Sequence, residues 1–212
     1  MKAKISKPTE DLQTIRDIME RSSKFLSLSG LSGIFAGVCA LIGASIAWFF
    51  ILDSGHIQSL ENLLRPGGSS ASVVRFNLAV VAMLVLGFAI LGVIYFSYRK
   101  ARTVGQQLWT VSTRRLLVHF TIPLATGGIF TLILIFRGNL ELIASVMLIF
   151  YGMSLVNAGK FTFGEIHYLG VTEIVLGILA GLFISYGFLF WTIGFGLMHI
   201  IYGAVMYYKH ER

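Results

Sequence analysis

The sequence predicts an all-α membrane protein, a six-transmembrane-helix bundle with an N-terminal amphipathic cytoplasmic helix. Three observations carry that prediction. Of 212 residues, 56% are hydrophobic and only 13% charged, a balance outside the range of soluble domains of this length. The apolar residues gather in six windows, each able to cross a hydrocarbon core about 30 Å thick, for which roughly 20 helical residues are needed. The connections between windows are short, and they divide the basic residues unevenly between the two sides. Residues 1–24 form the cytoplasmic arm and 25–212 the transmembrane domain.

The arm carries helix signals of its own. Pro8 and Thr9 offer a start, with Thr9 as N-cap and Glu10 and Asp11 in the first turn. Leu12, Ile15, Ile18 and Met19 fall on one face, and Asp17 with Arg21 and Glu20 with Lys24 are acid-before-base pairs one turn apart. Such a helix is expected to lie along the inner membrane surface.

The first span runs from Leu28 to Leu52, with Gly33 and Gly37 and then Ala36, Ala40 and Ala44 at four-residue spacing, which marks a tightly packed helix. A charged segment precedes it and it is longer than a signal-peptide core, so it is expected to stay in the mature chain. It holds the single cysteine, Cys39, and no intrachain disulfide is possible. The one sizeable outer loop, HIQSLENLLRPGGSS, places Ile57, Leu60, Leu63 and Leu64 on one face before Pro66, Gly67 and Gly68 stop it. The second span covers Val73 to Tyr98. A cytoplasmic segment with Trp109 as an interface anchor then leads to the third, Leu116 to Phe136. Pro123, followed by Gly127 and Gly128, predicts a break or bend there. Arg137, Gly138 and Asn139 separate the third span from the fourth, Leu140 to Asn157. The polar run to His167 separates the fourth from the fifth, Glu165 to Ser185, and the sixth is Phe188 to Tyr208.

With six spans, fourteen of the seventeen Lys and Arg residues fall on the side of the termini, and only Arg65, Arg75 and Arg137 fall on the other. The positive-inside rule then puts both termini in the cytoplasm of a cell (inner) membrane protein. The same asymmetry, with attraction to anionic lipid, accounts for the net charge of +7 without nucleic acid.

The polar residues inside the spans are the candidate functional groups. An ionised carboxylate facing lipid costs at least about 2.5 to 3.5 kcal/mol, so Glu173 must face protein, water or a partner. It shares a helical face with Gly177, Ala180 and Gly181, while His199 shares one with Thr192, Gly196 and Gly203. The fifth and sixth spans turn near Tyr186 and Gly187, and Glu173 and His199 stand about equally far from that turn, which predicts a hydrogen bond or ion pair roughly 10 Å below the cytoplasmic surface. The same counting sets His119 level with Asn157, nearer the cytoplasm. Lys160, Glu165 and His167 on the next connection would complete a polar vestibule opening to that side. These groups admit three readings: interhelical clamps, a solute or proton site, or a metal or haem site. Unequal depths of His119 and His199 argue against haem, and no zinc spacing, catalytic triad order or phosphate-binding glycine loop occurs. The expectation is therefore no metal, no cofactor and no catalytic residue.

The strings NAGKFTFGEIHYLG, FWTIGFGLMHIIYG and SKFLSLSGLSGIFAG resemble those of an uncharacterised family of six-span bacterial integral membrane proteins. The resemblance implies a bacterial inner membrane and brings no activity, substrate or cofactor. Two functions fit the residues: a small-solute, ion or proton transporter-like protein, for which a homodimer would be the expected assembly, or a non-transporting interaction or sensor protein whose buried polar groups are clamps.

Overall fold

The computed structural model describes residues 28–52, 69–105 and 109–212, and these are all-α. Helix α1 (Gly30–Ile46) runs on through a wide π-helical turn, Ala47–Leu52. Helix α2 is Ser69–Val104 and α3 is Val111–Arg137. Helix α4 (Ile143–Ala158) is entered by the 3-10 turn Leu140–Leu142 and left by another, Gly159–Phe161, before α5 (Gly164–Leu182). The last span, α6, is built of four pieces: a 3-10 turn Ile184–Tyr186, a short α-helix Gly187–Trp191, a π-helix Thr192–Met198 and a final α-helix His199–His210. Among the described residues six helices are long and apolar enough to cross a membrane. The arm expected at residues 9–24 and the outer loop lie outside the described residues, except for the last two residues of the loop, which open α2.

Local chemistry explains where several helices begin and end. Thr110 caps α3: its hydroxyl accepts from the Thr113 N–H at 3.2 Å, and the Thr113 hydroxyl answers the Thr110 N–H at 3.4 Å. Gly138 stops α3 in the left-handed region at φ 76°, where glycine alone bears no steric cost. Pro123 lies inside α3, which does not end there but continues to Arg137. A single missing N–H is tolerated because a helix in hydrocarbon has no other way to satisfy its remaining backbone groups. Helix α2 outruns its expected window because Arg99, Lys100 and Arg102 are good helix formers beyond the apolar core.

Helix α1 lies between α2 and α6, α4 lies between α3 and α5, and α6 joins the two groups by packing on both α4 and α5. Burial follows this order: 39% of the α1 span window is buried, against 6% for α2 and 11% for α3, which makes α2 and α3 the edges. Two glycine seams allow the close approaches. On α1 a side chain at Gly33 would come within 3.1 Å of the Gly203 Cα, and one at Gly37 within 2.6 Å of the Gly196 carbonyl. Between α4 and α5, Gly152 and Gly170 face each other's carbonyls at 2.6 Å in the same sense.

Candidate functional site

Glu173 sits nine residues from either end of α5, about 14 Å along the axis, so it is at the middle of that helix. Helix α5 ends at Leu182, short of the expected Ser185, and a 3-10 turn takes up the hairpin. The carboxyl is completely enclosed, at 0% side-chain exposure, and its Oε1 lies 3.4 Å from His199 Nδ1. That distance makes a charge contact but lacks the geometry of a hydrogen bond. Among the described residues, the buried side-chain polar atoms without a hydrogen-bond partner are two hydroxyls, on Ser97 and Thr131, and both oxygens of Glu173. Hydroxyls carry no charge, so Glu173 is the exceptional member.

The ring of His199 is held on both sides. Its Nδ1 lies 3.0 Å from the Gly194 carbonyl, five residues back, and its Nε2 lies 2.8 Å from the Tyr151 hydroxyl on α4. An acceptor carbonyl beside Nδ1 assigns the hydrogen to that nitrogen, so in a neutral ring Nε2 accepts from the Tyr151 O–H. Tyr151 stands at the middle of its span, Leu140–Phe161. Phe120, Phe195 and His199 surround its ring.

The π-helix Thr192–Met198 shapes this pocket. It turns more widely than an α-helix and presents Gly194 to Glu173. A Cβ on Gly194 would collide with Glu173 Oε2 and come within 2.6 Å of Leu148 Cδ2. Glycine is thus the only residue that lets the carboxyl reach its present place. Sequence reasoning found Glu173 and His199 but missed Tyr151 and Gly194. A tyrosine at the centre of an apolar span, away from the interfaces tyrosine prefers, was the available signal for the first. Nothing distinguishes Gly194 among 23 glycines.

The remaining candidates do not converge on this pair. His119 is exposed and stacks on Phe161, with centroids 5.0 Å apart, and no hydrogen bond joins it to half-buried Asn157 among the described residues. Lys160 is exposed. Glu165 pairs with Lys209 at 2.6 Å and with His210 at 3.4 Å, while His167 packs its backbone and Cβ against Gly159. The charged groups at this end form a second structure instead. Glu211 accepts from the Gly30 N–H at the start of α1, from Ser29 Oγ at 3.0 Å and from Lys100 Nζ at 3.2 Å. Lys100 also donates to the Leu28 carbonyl at 2.7 Å and lies 5.0 Å above the Phe163 ring, whose stacking partner is His210. An apolar groove of about 270 Å³ between α3 and α4 is lined by Thr126, Ile129, Phe130, Ile133 and Phe150 and includes none of Glu173, His199 and Tyr151. No group of three or more metal-ligating side chains occurs among the described residues.

Six candidate spans and a polar cluster at mid-depth define the class: a polytopic membrane protein whose surroundings include a lipid bilayer. Comparison with protein families, with curated proteins and with solved structures finds no match, so no family is identified.

Proposed function

We propose that the chain is a small transporter-like protein of the cell (inner) membrane, with both termini cytoplasmic, moving an ion, a proton or a small solute past Glu173 and His199. The observation that carries this reading is the Glu173 carboxyl: wholly enclosed, without a hydrogen-bond donor on either oxygen, and set at mid-span beside a titratable ring. A carboxyl needed only for structure would be expected to have its oxygens satisfied, whereas groups that bind and release cargo are the usual ionisable residues at such depth. The charge asymmetry supports the orientation.

The test is flux in proteoliposomes loaded with a pH-sensitive dye or with sodium or potassium indicators. Flux is expected in the native chain and lost in Glu173→Gln, with the variant still folded. Absence of any flux in the native chain overturns the proposal. One observation favours the interaction protein as a second reading: the side-chain exposures of Glu173 and His199, 0% and 7%, are those of a closed clamp. Strong energetic coupling between them without flux would select it.

A further inference from the structure

We infer that the Glu173–His199–Tyr151 array is a binding site for a single exchangeable proton and for no larger cation. The inference rests on the transporter-like reading for its role but not for its existence. Its first support is charge. A carboxylate enclosed at mid-span with no donor on either oxygen is neutralised only if the pair holds one proton more than a carboxylate and a neutral imidazole together. The titratable groups facing Glu173 from the two helices packed on α5 are His199 on α6 and Tyr151 on α4. Lys160, Glu165 and His167 are at least six residues nearer the end of the helix, about 9 Å or more away along it.

The second support is space and ligand type. Gly194 and Leu148 pack so close to Glu173 that a methyl group on Gly194 would have to displace the Glu173 or Leu148 side chain. A hard cation takes about six or more oxygen ligands, and the oxygens at hand are the two of Glu173 and the Gly194 carbonyl, with an imidazole between them and the Tyr151 hydroxyl. A proton needs one lone pair and no added volume.

The third support is a path. When the array is loaded, the extra proton makes His199 an imidazolium beside the Glu173 carboxylate, with Nδ1–H toward Gly194 and Glu173 and Nε2–H donating to Tyr151. On release, the Nε2 proton passes to the Tyr151 oxygen as the tyrosine gives its own hydroxyl proton to a water molecule admitted beside it, which leaves as hydronium. The ring is left neutral, Nε2 accepts from the tyrosine O–H, and Glu173 remains an uncompensated carboxylate. One proton has left and every bond is accounted for.

Infrared difference spectroscopy on the full chain in lipid, recorded between acidic and alkaline buffers, tests the site. A carboxyl band and an imidazole band are expected to change together, to shift in heavy water, and to be lost together in Glu173→Gln, while sodium or potassium added at constant pH changes nothing. Tyr151→Phe, which leaves the pair intact, should keep both bands and slow their hydrogen–deuterium exchange at least several-fold. No coupled change across the pH range in which the chain stays folded, a response to sodium or potassium, or unaltered exchange in Tyr151→Phe would each overturn the proposal. The flux assay remains separate: coupled bands without flux would sink the transporter reading and leave the proton site standing, and flux without coupled bands would do the reverse.

Discussion

At the scale of single residues, the arrangement around Glu173 makes two predictions about stability. Glu173→Leu alone leaves His199 with one partner fewer, and His199→Phe alone leaves a buried carboxyl with no titratable neighbour but Tyr151. Each single change should destabilise by about 1 to 3 kcal/mol or more, and the double variant by less than the sum, because a lone buried polar group keeps its desolvation cost. Thermal melting in detergent measures the cycle, and strict additivity would show that the 3.4 Å contact carries no coupling. Gly194→Ala pushes a methyl group into Glu173 Oε2 and Leu148, and overpacking of that kind costs about 1 to 3 kcal/mol. In a Glu173→Ala background the same alanine should cost less, because only the contact with Leu148 remains, and an equal penalty in both backgrounds would place the clash elsewhere. The pairing of Glu173 with His199 was legible because two residues equally far from a helical turn must stand level, whatever the details of the turn. Tyr151 was not, since it comes from a helix outside that hairpin and the order of helix packing is not written in residue spacing.

At the scale of elements, the helix ends were easier to read than the helix interiors. Gly138 ends α3 as a glycine followed by a polar residue should, and Gly33 and Gly37 mark the close approach to α6. The π-helix Thr192–Met198 had no signal, because its apolar and glycine residues suit an ordinary helix equally well and only the neighbouring Glu173 and Leu148 make the wider turn useful. Residue spacing also gave no hint of the junction at Glu211. In the sequence Lys100 and Glu211 are ordinary charges at helix ends, whereas in the fold Glu211 caps α1 and ties it to α2, with side-chain exposures of 13% and 12% for the two partners. Glu211→Gln keeps an acceptor for the Gly30 N–H but removes the charge opposite Lys100. It should lower stability by about 1 to 3 kcal/mol, with a loss that persists in high salt because the pair is largely shielded. A melting temperature that matches the native one, or a loss that vanishes in high salt, would mean that the junction is an ordinary surface pair.

At the scale of the whole molecule, six helices were legible and their arrangement was not, for one physical reason. In hydrocarbon every backbone group must be satisfied within its own helix, so long apolar runs declare themselves. Lipid is as apolar as a protein interior, however, so no stripe of hydrophobic residues tells a helix which side to bury, and the edge positions of α2 and α3 follow only from the fold. Charge supplies the information that hydrophobicity withholds. Arg99, Lys100, Arg102, Arg114, Arg115, Lys160, Lys209 and Arg212 belong to the end of the bundle where the described chain starts at Leu28 and finishes at Arg212, and Arg75 and Arg137 belong to the other. If the first end is cytoplasmic, a chain with Cys39→Ala and a single cysteine at Ser69 should react with a membrane-impermeant maleimide on intact cells or spheroplasts. A single cysteine at Arg212 should react only after the membrane is opened. The reverse pattern would invert the molecule, and labelling of both positions from outside would break the even number of crossings. Inversion would also place the Glu211 junction outside the cell.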